Sequence, residues 1–227
     1  FMQTCARCIF YFILIPCIIY YVSYIPYFAH SGGITVQKLI DAQRGMFNYH
    51  SSPGLGMDHP FYSPWWQWPF ILKPMWYYLG YYEPQGVNET IYCMGNPAIF
   101  YVCAFTMLAT IFIFLYKLLK NKKDNIILSF AISIGFLSQY LPWIIVPRGT
   151  YIYHYFASVP FIILSSMFIF YVAYEKFKKH KILIDIFLII FIFIALAMFI
   201  GFYPYATGIP VSNEWLDAMK WFKGIGY

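Results

Sequence analysis

Pro97-Ala-Ile-Phe-Tyr-Val-Cys-Ala-Phe-Thr-Met-Leu-Ala-Thr-Ile-Phe-Ile-Phe-Leu-Tyr116 runs for twenty residues without a charge. At about 1.5 Å of rise per residue, a helix of that length reaches roughly 30 Å, the thickness of a bilayer's hydrocarbon core. Four further runs have the same character: Cys8 to Phe28, Ile126 to Val146, Ile152 to Tyr174, and Ile182 to Tyr203. Each is expected to be helical, because lipid offers no water to an unpaired N–H or C=O and no strand-like alternation is present. The first run is too long for the apolar region of a signal peptide and has no small-residue cleavage site, so it reads as a retained span. The composition agrees. Of 227 residues, 61% are hydrophobic, 24% aromatic and only 11% charged, where a soluble domain carries about a quarter charged residues. The fold class that follows is an all-α integral membrane protein with five transmembrane helices.

The formal charge of +6 points to nucleic acid only until the basic residues are placed. Arg7, the loop with Lys117, Lys120, Lys122 and Lys123, and the loop with Lys176, Lys178, Lys179 and Lys181 hold nine of the fifteen Lys and Arg. Short basic loops face the cytoplasm. The N-terminus is therefore expected inside, with a long segment from 29 to 96, a turn at Pro147-Arg148-Gly149-Thr150 and a tail from 204 to 227 outside. No basic face suited to nucleic acid is left over. The domain reading is a first helix (1–28), an aromatic-rich external loop (29–96), a four-helix bundle (97–203) and an external tail (204–227).

The external loop carries Pro53, Pro60, Pro64, Pro69, Pro74 and Pro84 among eight glycines, a punctuation that forbids one long helix and predicts irregular structure lying on the bundle. The stretch Trp65 to Tyr78 is apolar but broken by two prolines, so it is expected to rest in the membrane interface. Cys5 and Cys8 form a lone C-x-x-C with no second pair beside it, and the five cysteines give no disulfide framework. Asn88-Glu89-Thr90 fits the N-glycosylation pattern, which matters only in a cell with that machinery.

The order of residues in this loop is more specific than its composition. Met46-Phe-Asn-Tyr-His50-Ser-Ser52, Asp58-His-Pro-Phe-Tyr-Ser-Pro-Trp65-Trp66-Gln-Trp68-Pro69, Lys73-Pro-Met-Trp76-Tyr-Tyr78 and Met94-Gly-Asn-Pro-Ala98 occur in that order. They are followed by Gln139-Tyr-Leu-Pro-Trp143, Pro147-Arg148-Gly-Thr-Tyr151-Ile-Tyr-His154-Tyr-Phe156 and Val159-Pro-Phe161. Over roughly residues 45 to 203 this resembles the C-terminal four-transmembrane region of the protein O-mannosyltransferases. The resemblance implies part of a membrane-embedded C-type glycosyltransferase fold. It also implies transfer of mannose, with inversion, from a polyprenyl-phosphate carrier to Ser or Thr hydroxyls of an acceptor protein.

In that family the acidic base belongs to an Asp-Glu pair in an external loop near the N-terminus. The acids here are Asp41, Asp58, Glu83, Glu89, Asp124, Glu175, Asp185, Glu214 and Asp217, no two adjacent. With no Met at position 1, the expectation is a C-terminal piece that is inactive alone and partnered by the N-terminal half of the same enzyme. No catalytic residue is assigned within this chain. The expected partners are membrane lipid, the lipid-linked sugar donor and the acceptor protein, and no cofactor or metal is expected. The membrane would be the plasma membrane of a bacterium, towards which the lack of a long insertion points, or the endoplasmic reticulum of a eukaryote.

The candidates for binding donor or acceptor each have a plainer reading. Arg148 offers a guanidinium fork for the carrier phosphate, or an interfacial cation satisfied by headgroups. His154, at the start of a span, offers a donor to phosphate or sugar, or a structural bond to a neighbouring Tyr. His59 lines the acceptor side, or fixes the loop through Asp58. Trp65, Trp66 and Trp68 stack on sugar, or mark the bilayer boundary. Lys73 reaches the phosphate or snorkels to headgroups. Asp185 is expected to pair with Lys181 one turn earlier. His30, His50 and His59 with Asp58 have no zinc-like spacing. A transporter would want facing polar groups within several spans, and these span interiors are nearly all Ile, Leu, Phe, Ala and Met. A non-catalytic membrane subunit is the alternative reading.

Overall fold

The structure, a computed structural model, describes residues 2–80 and 84–222; Glu83, Lys223 and the end of the tail (223–227) lie outside the described residues. Five helical stretches are long and apolar enough to cross a membrane: Met2–Ser31, Pro97–Leu119, Ile126–Ile144, Ile152–Lys176 and Lys178–Thr207. They coincide with the five runs read from the sequence, and the chain is a multi-pass integral membrane protein.

Two compact units divide at Pro53 and Gly54. In the first, α1 (Met2–Ile9), α2 (Ile15–Ser23) and α3 (Ile25–Phe28) form one apolar path, with a π-helical turn at Phe10–Leu14 between α1 and α2. Pro16, in the first turn of α2, brings no N–H to the ladder, and the widened turn before it absorbs that loss. A left-handed Gly32 (φ 80°) ends the path. Thr35 then caps α4 (Val36–Ser51) by accepting the Lys38 N–H. Tyr20 donates to Gln43 Oε1 (2.7 Å), and Gln43 Nε2 donates to the Tyr24 hydroxyl (3.1 Å), so α2 and α4 are tied through side chains. The irregularity expected from residue 29 onward therefore begins only at Pro53. No proline occurs between Tyr27 and Ser52, and nothing there forbids a helix.

The second unit holds α5 (Pro97–Leu119), α6 (Ile126–Tyr140), α7 (Val159–Lys176) and α8 (Lys181–Thr207). They run alternately up and down, with 3₁₀ turns at Leu141–Ile144 and Ile152–Ser158. α5 packs on the other three. Between α5 and α7, the Thr106 hydroxyl meets Ser165 Oγ and Ser166 Oγ, each at 3.0 Å, and Ser166 donates to Cys103 Sγ at 2.9 Å. Such pairs hold helices together where apolar packing gives no preference over lipid. Gly135 lets α6 meet α7 closely, since a Cβ there would fall 2.2 Å from the Phe161 ring. The core on this scaffold is aromatic, with Trp68, Phe100, Phe136 and Tyr155 buried together.

The two ends of the bundle differ. At one end, Lys117 is 8% exposed. Its Nζ donates to the Asp124 carbonyl (2.6 Å) and pairs with Asp124 Oδ2 (3.0 Å). The Lys117 ammonium holds the Asp124 carboxyl below its ordinary range. Asp185 accepts the Tyr174 hydroxyl (3.2 Å), while Lys181 Nζ lies 4.8 Å over the Tyr174 ring. The expected Lys181–Asp185 pair is thus replaced by a tyrosine that serves both groups.

At the other end lie two small antiparallel sheets. β1 (Met75–Leu79) pairs with β3 (Thr90–Cys93), with a bulge between Trp76 and Tyr78. β2 (Val87–Asn88) pairs with β4 (Val211–Ser212), just before the short α9 (Asn213–Ala218). The stretch Trp65 to Tyr78 is not one interfacial strip. Trp65–Phe70 is a 3₁₀ helix, closed by Ile71 in a left-handed conformation (φ 49°) with 0% exposure, and a strand follows. A β-branched residue held there costs about 1–3 kcal/mol. Complete burial of the Ile71 side chain offsets it.

Candidate functional site

The site is a seam between two chain segments nearly a hundred residues apart, the loop 54–74 and the turn 147–155. Backbone atoms make most of it. Gly54 N–H donates to the Pro147 carbonyl (2.9 Å), Gly149 N–H to that of Leu55 (2.7 Å), and Ser63 N–H to that of Thr150 (2.9 Å). The Thr150 hydroxyl returns a bond to the Ser63 carbonyl (2.9 Å), and the Tyr151 hydroxyl reaches that of Gly56 (3.3 Å). The approach requires glycine at 149, because a Cβ there would sit 2.3 Å from the Gly56 carbonyl oxygen and 2.5 Å from its carbon. Gly54 and Gly56 supply the left-handed turns (φ 75° and 73°) that bring the loop back.

Trp68 anchors the loop. It is 1% exposed, and its Nε1 donates to the Ser63 carbonyl (3.0 Å) and hydroxyl (3.2 Å). Its ring lies 5.8 Å from that of Trp143 and 6.0 Å, nearly parallel, from that of His154. Trp65 is held differently: its carbonyl accepts the Tyr140 hydroxyl (2.9 Å) and the two rings meet edge to face. Trp66, 51% exposed, is the one of the three that turns outward.

Arg148 is half-buried within the turn. Its Nη1 donates to the Gly149 carbonyl (3.0 Å), and its Nε is buried with no hydrogen-bond partner. A buried guanidinium N–H left without an acceptor is costly, so it marks a place where an acceptor belongs. His154 Nδ1 lies 3.1 Å from the Tyr151 amide nitrogen and 2.9 Å from its carbonyl oxygen, so either tautomer finds a partner on that residue. The imidazole sits among the rings of Trp143 (4.1 Å) and Tyr153 (4.2 Å). His59 Nδ1 accepts the Phe61 N–H (3.1 Å), and its ring meets Tyr151 edge to face (5.3 Å). That internal bond fixes the loop, and among the described residues no ion pair joins Asp58 to His59.

His154 of the turn and His59 of the loop thus both meet Tyr151, Trp65 meets Tyr140, and Arg148 lies in the same turn as His154, bonded to Gly149. Lys73 is half-buried and, among the described residues, joined to none of them by a hydrogen bond or ion pair. Sequence reasoning misses Tyr151, Tyr153 and Trp143 as site residues. Their signal is the aromatic density of 151–156 itself, which composition alone assigns to the bilayer boundary. Near the turn, Tyr77 of β1 is pushed up from the ordinary phenol range by burial and by its bond with Cys93, with Tyr153 adding a smaller push. Burial likewise raises the Cys93 thiol. Both are neutral groups at neutral pH, and within the turn 147–155 the fixed charge is that of Arg148. Among the described residues, no cluster of three or more His, Cys, Asp or Glu could hold a metal ion.

A family model described as the C-terminal four-transmembrane region of protein-O-mannosyltransferase matches residues 35–225. A dolichyl-phosphate-mannose–protein mannosyltransferase of Candida albicans is 27% identical over 207 residues, 82% of this chain and 27% of that protein. A polyprenol-phosphate-mannose–protein mannosyltransferase of Mycolicibacterium smegmatis is 23% identical over 238 residues, 92% of this chain and 45% of that protein. The chain therefore spans less than half the length of either relative. Among solved structures, the Saccharomyces cerevisiae protein O-mannosyltransferase Pmt1-Pmt2 complex bound to the sugar donor shares the fold. Its TM-score is 0.66 at 20% identity, covering 86% of this chain and 27% of that one.

Proposed function

The chain belongs to the protein O-mannosyltransferase family, and on that premise we propose that it forms the carrier-binding side of a membrane glycosyltransferase, with Arg148 receiving the phosphate of a polyprenyl-phosphate mannose donor. The seam and its turn would face the non-cytoplasmic side, since the lysine-rich loops close the opposite end of the same helices. In the transfer, the bond between mannose C1 and the phosphate oxygen breaks while a Ser or Thr hydroxyl oxygen attacks C1 from the other face. The proton goes to a carboxylate, and the departing carrier phosphate gains negative charge. That charge is what a guanidinium stabilises more in the transition state than in the ground state. The carboxylate would come from a segment outside these 227 residues, because no two of the nine acids are adjacent.

The observation that carries this reading is the buried Nε of Arg148 without an acceptor, on a turn that backbone bonds and Trp68 hold rigid. A fork fixed in place before the donor arrives loses little entropy on binding it. His154 and His59 are then positioning residues that keep Tyr151 and the turn in register. Trp65 packs on Tyr140, Trp66 faces outward at the boundary, and Lys73 meets headgroups. The test uses the complete enzyme in native membranes, with a Ser/Thr peptide and polyprenyl-phosphate mannose. Arg148→Ala should lower transfer at least about tenfold, or about 1.4 kcal/mol of transition-state stabilisation, with Arg148→Lys intermediate because it keeps charge without the fork. Wild-type turnover in Arg148→Ala at equal abundance would remove Arg148 from the site.

A further inference from the structure

Away from the seam, the two small sheets and α9 enclose a half-open cavity of about 370 Å³. Its walls differ from those of the other hollows. The cavities beside Tyr101 and beside Cys103 are lined almost wholly by apolar side chains facing the spans. This one carries Asn88 from β2, Thr90 and Tyr92 from β3, Tyr205 from α8, and Asn213 and Asp217 from α9.

The hydrogen-bonding arithmetic is specific. Asn88 Nδ2 donates to Asn213 Oδ1, which locks both amides and leaves the Asn88 carbonyl and the Asn213 amino group as an adjacent acceptor and donor. A vicinal diol asks for that pattern, since each hydroxyl both gives and takes a bond. Among the described residues lining the cavity the charge cancels, because Lys220 Nζ pairs with Asp217 Oδ1 at 2.6 Å. An anion such as phosphate finds no net attraction there. Tyr205, 1% exposed, backs the cavity as a rigid wall: its hydroxyl donates to the Leu216 carbonyl (3.1 Å), and Tyr92 stands edge-on at 5.2 Å. The volume lies near the lower bound for ligand pockets, about 300 Å³, room for one or two sugar rings and not for a lipid chain.

We propose that this cavity is a saccharide-binding site, distinct from the Arg148 seam, that takes neutral hexopyranose rings through the Asn88–Asn213 amide pair. Its natural occupant would be a sugar already attached to the acceptor protein. That last identification rests on the mannosyl-transfer reading, whereas the preference for a neutral polyol does not.

The test is saturation-transfer NMR on the complete protein in lipid nanodiscs, with intrinsic tryptophan fluorescence titrated in parallel for the wild type and Asn213→Ala. The probes are methyl α-mannopyranoside, a mannobiose and inorganic phosphate. Wild type should bind the sugars saturably and ignore phosphate. Leu216→Trp, which fills the cavity without touching the amides, and Asn213→Ala, which removes half the pair, should each weaken binding at least about tenfold. Absence of saturable sugar binding in the wild type overturns the proposal, as does displacement of sugar by phosphate. Undiminished binding in Leu216→Trp overturns the location whatever Asn213→Ala does to folding. Sugar binding that survives alongside a complete enzyme without mannosyl transfer would sink the transfer reading and leave this site standing.

Discussion

The two ends of the four-helix bundle are closed by different forces. At the lysine-rich end, one buried ammonium, Lys117, gathers the Asp124 carbonyl and carboxylate, while Lys122, Lys176 and Lys181 lie over rings and Lys178 pairs with Glu175 on the surface. At the seam end, peptide groups bond to peptide groups across the loop 54–74 and the turn 147–155, glycines let the backbones touch, and an indole fills what is left. Charge pairs answer to pH and salt. Amide bonds and close packing answer to neither, so the seam end keeps its geometry where the lysine-rich end would respond to its medium.

The comparison breaks most readily at position 149. Gly149→Ala drives a methyl into the Gly56 carbonyl, which backbone cannot yield, and should destabilise the seam by about 3 kcal/mol. Hydrogen exchange at the Gly149 and Ser63 amides is expected to accelerate accordingly. Gly45→Ala, inside α4 with nothing within 4 Å of the added carbon, should instead stabilise by about 0.5–1 kcal/mol. Equal effects at the two positions would show that the close approach is not what holds the turn. Next comes Trp68→Phe, which loses two hydrogen bonds and leaves a cavity, at about 2 kcal/mol. Trp66→Phe is expected within about 0.5 kcal/mol, both read as thermal midpoints in detergent. Thr150→Val removes a single bond to Ser63 and should cost about 1 kcal/mol.

The smallest effect belongs to the opposite end and sharpens the contrast. Because the folded carboxyl of Asp124 is held below its unfolded value of about 3.9, its contribution is present above that value and is lost as pH falls through the folded one. Asp124→Asn should therefore lower the thermal midpoint slightly at pH 7 and not at all once the medium is acid enough to protonate both states. The difference should shrink in high salt. No deficit at any pH in Asp124→Asn would mean that the Lys117–Asp124 carbonyl bond, which the substitution keeps, does all the holding.

The spans were readable because hydrocarbon thickness converts directly into a count of uncharged residues, and Pro97–Leu119 needed no other information. The seam was not. Ser63 and Thr150 bond across 87 positions, and nothing local to Gly149 announces that its missing side chain makes room for Gly56. The hairpin of β1 and β3 escaped because the bulge between Trp76 and Tyr78 interrupts the alternation that marks a strand. Pairing Asp185 with Lys181 by spacing alone ignored Tyr174, which satisfies both. The meeting of His154 and His59 follows from Tyr151, a residue whose role becomes visible only when the loop is laid on the turn.

The peptide-to-peptide bonds of the seam ask little of the side chains beside them beyond glycine at 54, 56 and 149, which stay small or left-handed so that the join can close. Trp68, Thr150 and Tyr151 add the side-chain bonds. Over evolutionary time the remaining letters are free to change while the joint keeps its shape, so an alignment of distant relatives should show those glycines and these three partners standing in drifting text.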